Sequence, residues 1–242
     1  MDALMIAAAG GLQARMESLD MLANNLANTE TSGYKADREF YNLYVSPEAA
    51  ADGDRSTTLP VIERAWTDFS QGTLHPTGSA LDLALTGKGF FAVDGPSGSL
   101  YTRNGGFRAS PAGLLVTAEG YPLRTVAGGK LQVQPSGAIE VSAQGAVTQN
   151  GQTLGQLEIV DFDNAATLTK QGESYFRSAA PAQPATGVRV EQGKLEGSNV
   201  GAAESAVRLV SVMRQFEMLQ RAMSLGAQMN RESVEEVARV AS

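Results

Sequence analysis

Residues 206–237 read AVRLVSVMRQFEMLQRAMSLGAQMNRESVEEV, and their spacing decides the architecture. Ala206, Leu209, Met213, Phe216, Gln220, Met223, Ala227, Asn230, Val234 and Val237 follow one another in alternating steps of three and four. That is one face of a helix at heptad spacing. Ser198 or Asn199 is the expected N-cap, with Glu204 near the positive end of the dipole. From residue 200 onward such a helix is roughly 60 Å long at 1.5 Å per residue, and its apolar stripe needs a partner. Gln220 and Asn230 in the stripe set register at a cost in stability.

The other end carries a matching pattern. Met5, Leu12, Leu19 and Leu26 repeat every seven residues, with Leu22 three past Leu19. The repeat stops near Asn28, where Asn28 to Gly33 (Asn-Thr-Glu-Thr-Ser-Gly) supplies turn residues and a glycine suited to the left-handed region. Two such stripes predict terminal helices that pair as a coiled coil.

Between them the punctuation changes. Of 26 glycines, 21 lie between Gly72 and Gly201, and all nine prolines lie between Pro47 and Pro184, so the helix breakers avoid both ends. Strand-like runs are Leu81 to Thr86, Phe90 to Asp94, Leu100 to Arg103, Leu114 to Thr117, Leu131 to Gln134, Ile139 to Ser142 and Leu157 to Asp161. Turn signals such as Asn104-Gly105, Glu119-Gly120 and Asn150-Gly151 separate them every eight to twelve residues. That rhythm suits antiparallel hairpins, not a parallel sheet with crossover helices. Ser46 to Thr58 reads as a mobile surface loop. The expected fold is α+β: 1–36 an N-terminal helix and motif, 37–70 an extended or loop connection, 71–196 a β-rich domain, and 197–242 a C-terminal coiled-coil helix.

Composition removes many functions. The 242 residues carry 19 Lys and Arg against 26 Asp and Glu, a net charge of −7. An acidic chain argues against nucleic acid or an anionic membrane as partner. Cysteine is absent and His75 is the one histidine, which excludes disulfides, thiol nucleophiles and multi-histidine metal sites. The apolar run from Leu4 to Leu12 is too short to span a bilayer, and it follows Asp2 instead of a basic segment. Any exit from the cytoplasm therefore calls for a route without a cleaved signal.

Local chemistry is equally sparse. Gly87-Lys88-Gly89 lacks the earlier glycine and the Ser or Thr of a phosphate loop, and reads as a hairpin turn. Asp161-Phe162-Asp163-Asn164 opens like a calcium loop but continues into Ala165 and Ala166 where ligands belong. His75 sits beside Pro76 with no serine elbow to pair with it, and reads as a surface or turn residue. Trp66 with Phe69 reads as a buried anchor before it reads as a ligand platform. No catalytic, cofactor-binding or metal residue is expected.

Three segments together resemble the bacterial flagellar axial proteins of the rod and hook class. Leu22 to Lys35 (Leu-Ala-Asn-Asn-Leu-Ala-Asn-Thr-Glu-Thr-Ser-Gly-Tyr-Lys) is similar to that family's N-terminal rod signature. Gln71 to Leu74, Thr77-Gly78, Leu81 to Leu85, Gly87 to Val93 and Tyr101 to Phe107 resemble its central marker, continued by Gly113 to Thr117 and Gly120-Tyr121. Leu195-Glu196-Gly197-Ser198-Asn199-Val200, then Met213-Arg214-Gln215-Phe216-Glu217, resemble its step into a final helix, with Gly197 and Ser205 as small departures.

The resemblance implies a structural subunit of the flagellar basal-body rod, not an enzyme. The length suits proximal-rod members, while Thr77 to Asp82 and Gly89 to Phe91 look like distal-rod members. It further implies assembly with other flagellar rod proteins and with copies of itself, export by the flagellar type III apparatus without a cleaved signal, and no membrane insertion. The implied assembly residues are Leu12, Leu19, Leu22, Asn24, Asn25, Leu26, Ala27, Asn28, Gly33, Tyr34 and Lys35, with Asn24, Asn25 and Asn28 satisfying backbone groups at the end of the first helix. At the other end they are Ser198, Asn199, Val200, Leu209, Met213, Arg214, Phe216, Glu217, Met223, Val234 and Val237.

Overall fold

The computed structural model describes residues 3–45, 58–134, 137–172 and 174–240, so most of the Ser46 to Thr58 loop lies outside the described residues. The chain divides into two compact units. Met1–Ala27, Asp37–Trp66 and Gly201–Ser242 form a helical unit, and Asn28–Ala36 with Thr67–Val200 form a β-rich unit.

Helix α1 (Ala3–Ala27) and helix α2 (Ala202–Val240) belong to the helical unit with a two-stranded sheet, Asp37–Val45 and Thr58–Thr67, whose last residue opens the β-rich unit. Helix α2 begins after Gly201, whose carbonyl accepts the first bond from the Ser205 N–H. The N-cap position therefore falls past Ser198 and Asn199, which are engaged elsewhere.

The expected coiled coil is not what the molecule forms: the described residues hold two α-helices, one towards each end, and a strand-rich middle, and the heptad faces are spent differently. On α1 the buried positions are Gly11, Ala14, Ser18, Leu22 and Asn25, while Leu12, Leu19 and Leu26 stay half-buried. The buried polar residues bind the following strand. Ser18 Oγ donates to Glu39 Oε1 at 2.9 Å, and Asn25 exchanges two bonds with the Asp37 backbone at 2.7 and 3.0 Å. Strand and helix α2 thus share α1, which a coiled-coil seam of apolar knobs does not permit. Helix contact persists at Gly11, where a Cβ would stand 3.6 Å from Leu219 Cδ1.

On α2 the inward column lies at Ser205, Val212, Leu219 and Gly226, one residue before the expected Ala206, Met213, Gln220 and Ala227. Leu209, Phe216 and Met223 are half-buried beside it. Val212 retains 9% of its surface and Met213 48%. Opposite the inward face, Val207, Val210, Met218, Leu225 and Met229 are all exposed and fall within a 100° arc at 100° per residue. Helix α2 thus carries apolar side chains on two sides, the outer one shared with Arg214 and Arg221.

The β-rich unit is built on a six-stranded antiparallel sheet in the order Leu168–Gln171, Tyr175–Ser178, Gly98–Thr102, Phe90–Gly95, Ile159–Asp161, Gln183–Pro184. Phe90 to Val93 is buried throughout because both faces of its strand are covered. Phe91 and Val93 enter a cluster with Leu83, Leu85, Phe107 and Leu123. Phe90 faces the other way, into a cluster with Val160, Phe162 and Phe176. Phe69 closes the second cluster edge-on to Phe90 and Phe176. Trp66, expected as a buried anchor, keeps 47% of its surface. Leu131 to Gln134 forms only isolated bridges instead of a strand, and one 3-10 turn covers Ala165–Thr167. Among the described residues no helix is long and apolar enough to cross a membrane.

Candidate functional site

The N-terminal motif leaves helix α1 through a compact turn. The Thr31 N–H and hydroxyl donate to the Asn28 carbonyl and side-chain oxygens at 3.3 and 2.9 Å, and the Tyr34 N–H donates to the Thr31 carbonyl. Gly33 has φ +69°, and a Cβ there would stand 2.3 Å from the Asn104 backbone nitrogen. Only glycine fits such an approach. Its N–H donates to the Glu196 carbonyl at 2.7 Å, bringing the C-terminal motif alongside.

Around that contact the β-rich unit buries three charges. Lys35 Nζ donates to Glu196 Oε1 at 2.5 Å, and both side chains are fully buried. Lys35 Nζ also donates to the Ser70 carbonyl at 2.6 Å. The Gly72 N–H donates to the same carboxylate oxygen at 2.9 Å, and Arg103 Nη1 reaches Glu196 Oε2 at 3.3 Å. Arg103 Nη1 and Nη2 also donate to the Leu85 and Gly87 carbonyls at 3.4 and 2.5 Å, while its buried Nε finds no hydrogen-bond partner. One carboxylate therefore serves two cations, and backbone carbonyls take further protons from each. Burial pushes the Lys35 ammonium below its ordinary value, against the opposing pull of Glu196. The Arg103 guanidinium is lowered by the same cause.

Neighbouring contacts seal the knot. Tyr34 is buried, with Lys170 Nζ 4.3 Å above its ring. Lys170 also donates to the Lys35 carbonyl at 2.7 Å. Arg103 lies 5.5 Å over the Phe90 ring, tying the ionic cluster to the aromatic one. Glycine again permits close approach at Gly105, where a Cβ would stand 1.6 Å from the Leu83 carbonyl oxygen.

The structure brings Asn28, Gly33, Tyr34, Lys35, Ser198, Asn199 and Val200 into the β-rich unit, apart from the helical positions. In the helical unit Leu22 and Asn25 are buried, Leu12, Leu19 and Leu26 half-buried, and Asn24 and Ala27 exposed. Leu209, Phe216 and Met223 are half-buried, whereas Met213, Arg214 and Glu217 face solvent. The side chains of Val234 and Val237 lie outside the described residues. Sequence reasoning missed Glu196 and Lys170 as partners of Lys35, and Arg103 as the second cation on Glu196. Their signal was a charge placed among glycines in Thr-Arg-Asn-Gly-Gly and Leu-Glu-Gly-Ser-Asn, where a turn reading hides a buried ion.

Elsewhere the acidic candidates are occupied singly. Asp161 accepts from the Phe162 N–H, and Asp163 accepts from Gln183. Among the described residues no group of three or more His, Cys, Asp or Glu could hold a metal ion. The arrangement is an ionic lock, and what it does is tie distant segments together.

Three family models match the chain in order: the flagella basal body rod protein over residues 5–35, the D1 domain of the flagellar hook protein FlgE/F/G over 84–152, and the C-terminal part of the flagellar basal body rod FlgEFG protein over 191–235. The chain is 33% identical over 227 residues to the flagellar basal-body rod protein FlgF of Caulobacter vibrioides, covering 92% of each. It is 34% identical over 206 residues to FlgF of Rhizobium meliloti, covering 82% of this chain and 83% of the relative. Similarity to the rod protein FlgG of Agrobacterium fabrum is 34% over 253 residues, covering 90% and 92%.

Proposed function

The chain belongs to the flagellar basal-body rod protein family, and from that premise we propose that it is a proximal-rod subunit that helps carry torque from motor to hook. It is a structural subunit of the rod and performs no catalytic step. The proximal position rests on the FlgF relative that matches over 92% of both chains. The FlgG relatives, of similar identity, make the distal rod the second reading.

One observation carries assembly through the helical unit: the second apolar arc of α2. From Val207 to Met229 it runs about 33 Å, 22 residues at 1.5 Å each, and every named side chain on it is exposed. Exposed apolar side chains spread over that length, with Arg214 and Arg221 set among them, are costly in a monomer and are covered when neighbours pack on them. Copies of this chain and other rod proteins are the proposed neighbours. Contacts that repeat head to tail continue along an axis, as a rod requires. Export through the flagellar type III apparatus completes the proposal. The absence of cysteine supports it, since the chain has no thiol to cross-link on leaving the cytoplasm.

Electron microscopy of basal bodies tests the reading. A strain lacking the chain should show missing or truncated rods, restored by the wild-type chain. A chain carrying Val207→Asp and Met218→Asp should fold, melt like the wild type, and fail to restore them. Full restoration by that variant removes the α2 surface from the assembly; intact rods in the deletion strain remove the rod assignment.

A further inference from the structure

The chain passes between its two units four times, after residues 27, 36, 66 and 200. On the β-rich side, three of those passages meet at one side chain. Asn199 Oδ1 accepts from the Ala36 N–H at 2.8 Å. Its Nδ2 donates to the Asp68 carbonyl at 2.7 Å and to the carbonyl and hydroxyl of Ser70 at 3.2 and 3.1 Å. Its own backbone immediately precedes the third passage. A direct bond from the Asp68 N–H to the Ala36 carbonyl, 2.8 Å, closes the ring. The amide orientation is dictated by chemistry: Ala36 offers only a donor, and Asp68 and Ser70 offer carbonyls.

We infer that Asn199 is a clamp that holds the passages at residues 36, 67 and 200 in fixed register on the β-rich unit. No other neutral side chain of that length accepts from one strand while donating to the next. The inference stands on these hydrogen bonds and is independent of the rod assignment. It assigns Asn199 a positioning role separate from the neighbouring ion cluster, which touches the same segment through Ser70 but leaves the Ala36 and Asp68 peptides to the clamp.

Amide hydrogen exchange by NMR on the full chain tests it with two variants. Asn199→Ala removes the acceptor, so exchange at the Ala36 N–H should accelerate about five- to tenfold, the size of one lost hydrogen bond. The Gly33 N–H, held by the Glu196 carbonyl, and the Ala92 N–H, held by the Glu158 carbonyl, should keep their wild-type rates. Asn199→Asp keeps an acceptor for Ala36 but sets a carboxylate against the Asp68 and Ser70 carbonyls. In that variant Ala36 should stay protected while the Asp68 N–H accelerates. Unchanged Ala36 exchange in Asn199→Ala overturns the clamp. So does a uniform rise that includes Ala92, which would make Asn199 a general contributor to stability.

Discussion

Lys35 and Glu196, 161 positions apart in the chain, meet at 2.5 Å with neither side chain reaching solvent. Glu196 is the anion that both Lys35 and Arg103 contact, at 2.5 and 3.3 Å, so the two cations are unequal in their dependence on it. Glu196→Gln strands both and should cost about 3–5 kcal/mol, the usual penalty for breaking a buried pair from one side. Lys35→Met leaves Glu196 paired with Arg103 and should cost less. Urea midpoints of the two variants give the order; equal losses would mean that Arg103 contributes little.

Gly33 and Gly151 both adopt left-handed φ, +69° and +77°, yet only Gly33 is pressed against backbone. Ala at Gly151 meets open space and should lose about 1 kcal/mol to conformational strain alone. Gly33→Ala adds overlap with the Arg103–Asn104 peptide, which has no flexible end to move aside. Its thermal midpoint should fall well below that of Gly151→Ala, and similar midpoints would contradict the tight approach.

The one-residue offset of the α2 seam is testable at adjacent positions. Val212→Asp places a carboxylate on the inward column and should destabilise by several kcal/mol, as unpaired buried charge does. Met213→Asp, on a side chain 48% exposed, should stay within about 0.5 kcal/mol of the wild type. Denaturant titration followed by helix signal separates them, and the reverse order would restore the seam read from the leucine and methionine spacing.

Tyr175 donates to Glu119, and burial, with that bond second, pushes its phenol above the ordinary 10.0. A phenol raised in the folded state contributes stability that is complete below pH 10 and is lost as pH climbs through the folded value. Tyr101 is raised by burial too, with the same sign. Stability should therefore fall as the pH rises above 10, and Tyr175→Phe should flatten part of that fall. It should also cost about 1 kcal/mol at neutral pH by leaving Glu119 without its donor. In a 295 nm titration of the six tyrosines, ionisation of Tyr175 alongside exposed ones would refute the burial argument.

The helical ends and the hairpin rhythm of the middle were legible because apolar spacing and glycine placement are local signals. The phase of each helix was not. Leucines at 12, 19 and 26 mark the edge of α1's inner face, while Gly11, Ser18 and Asn25 occupy its centre, where small and hydrogen-bonding residues let a strand approach. The Asp37–Val45 and Thr58–Thr67 pair falls in the stretch expected as an extended or loop connection; Pro60 within one strand and the charged residues opening the other blur its strand pattern. Lys35 stood out within a motif, but its partners are distant in sequence, and a single charged residue among glycines carries no mark of burial.

Timing gives the Lys35–Glu196 pair a further meaning. At about 5–20 residues per second, a ribosome releases Glu196 roughly 8–30 s after Lys35. Arg103, 93 residues upstream of Glu196, waits for the same carboxylate. Throughout that interval neither cation can leave water cheaply, so the N-terminal motif stays open while the β-strands are still being made. Closure comes with nearly the last residues before α2. The ionic lock thereby reports that the chain has been made as far as the step into α2: a nascent chain interrupted before Glu196 retains two hydrated cations and an unsealed motif.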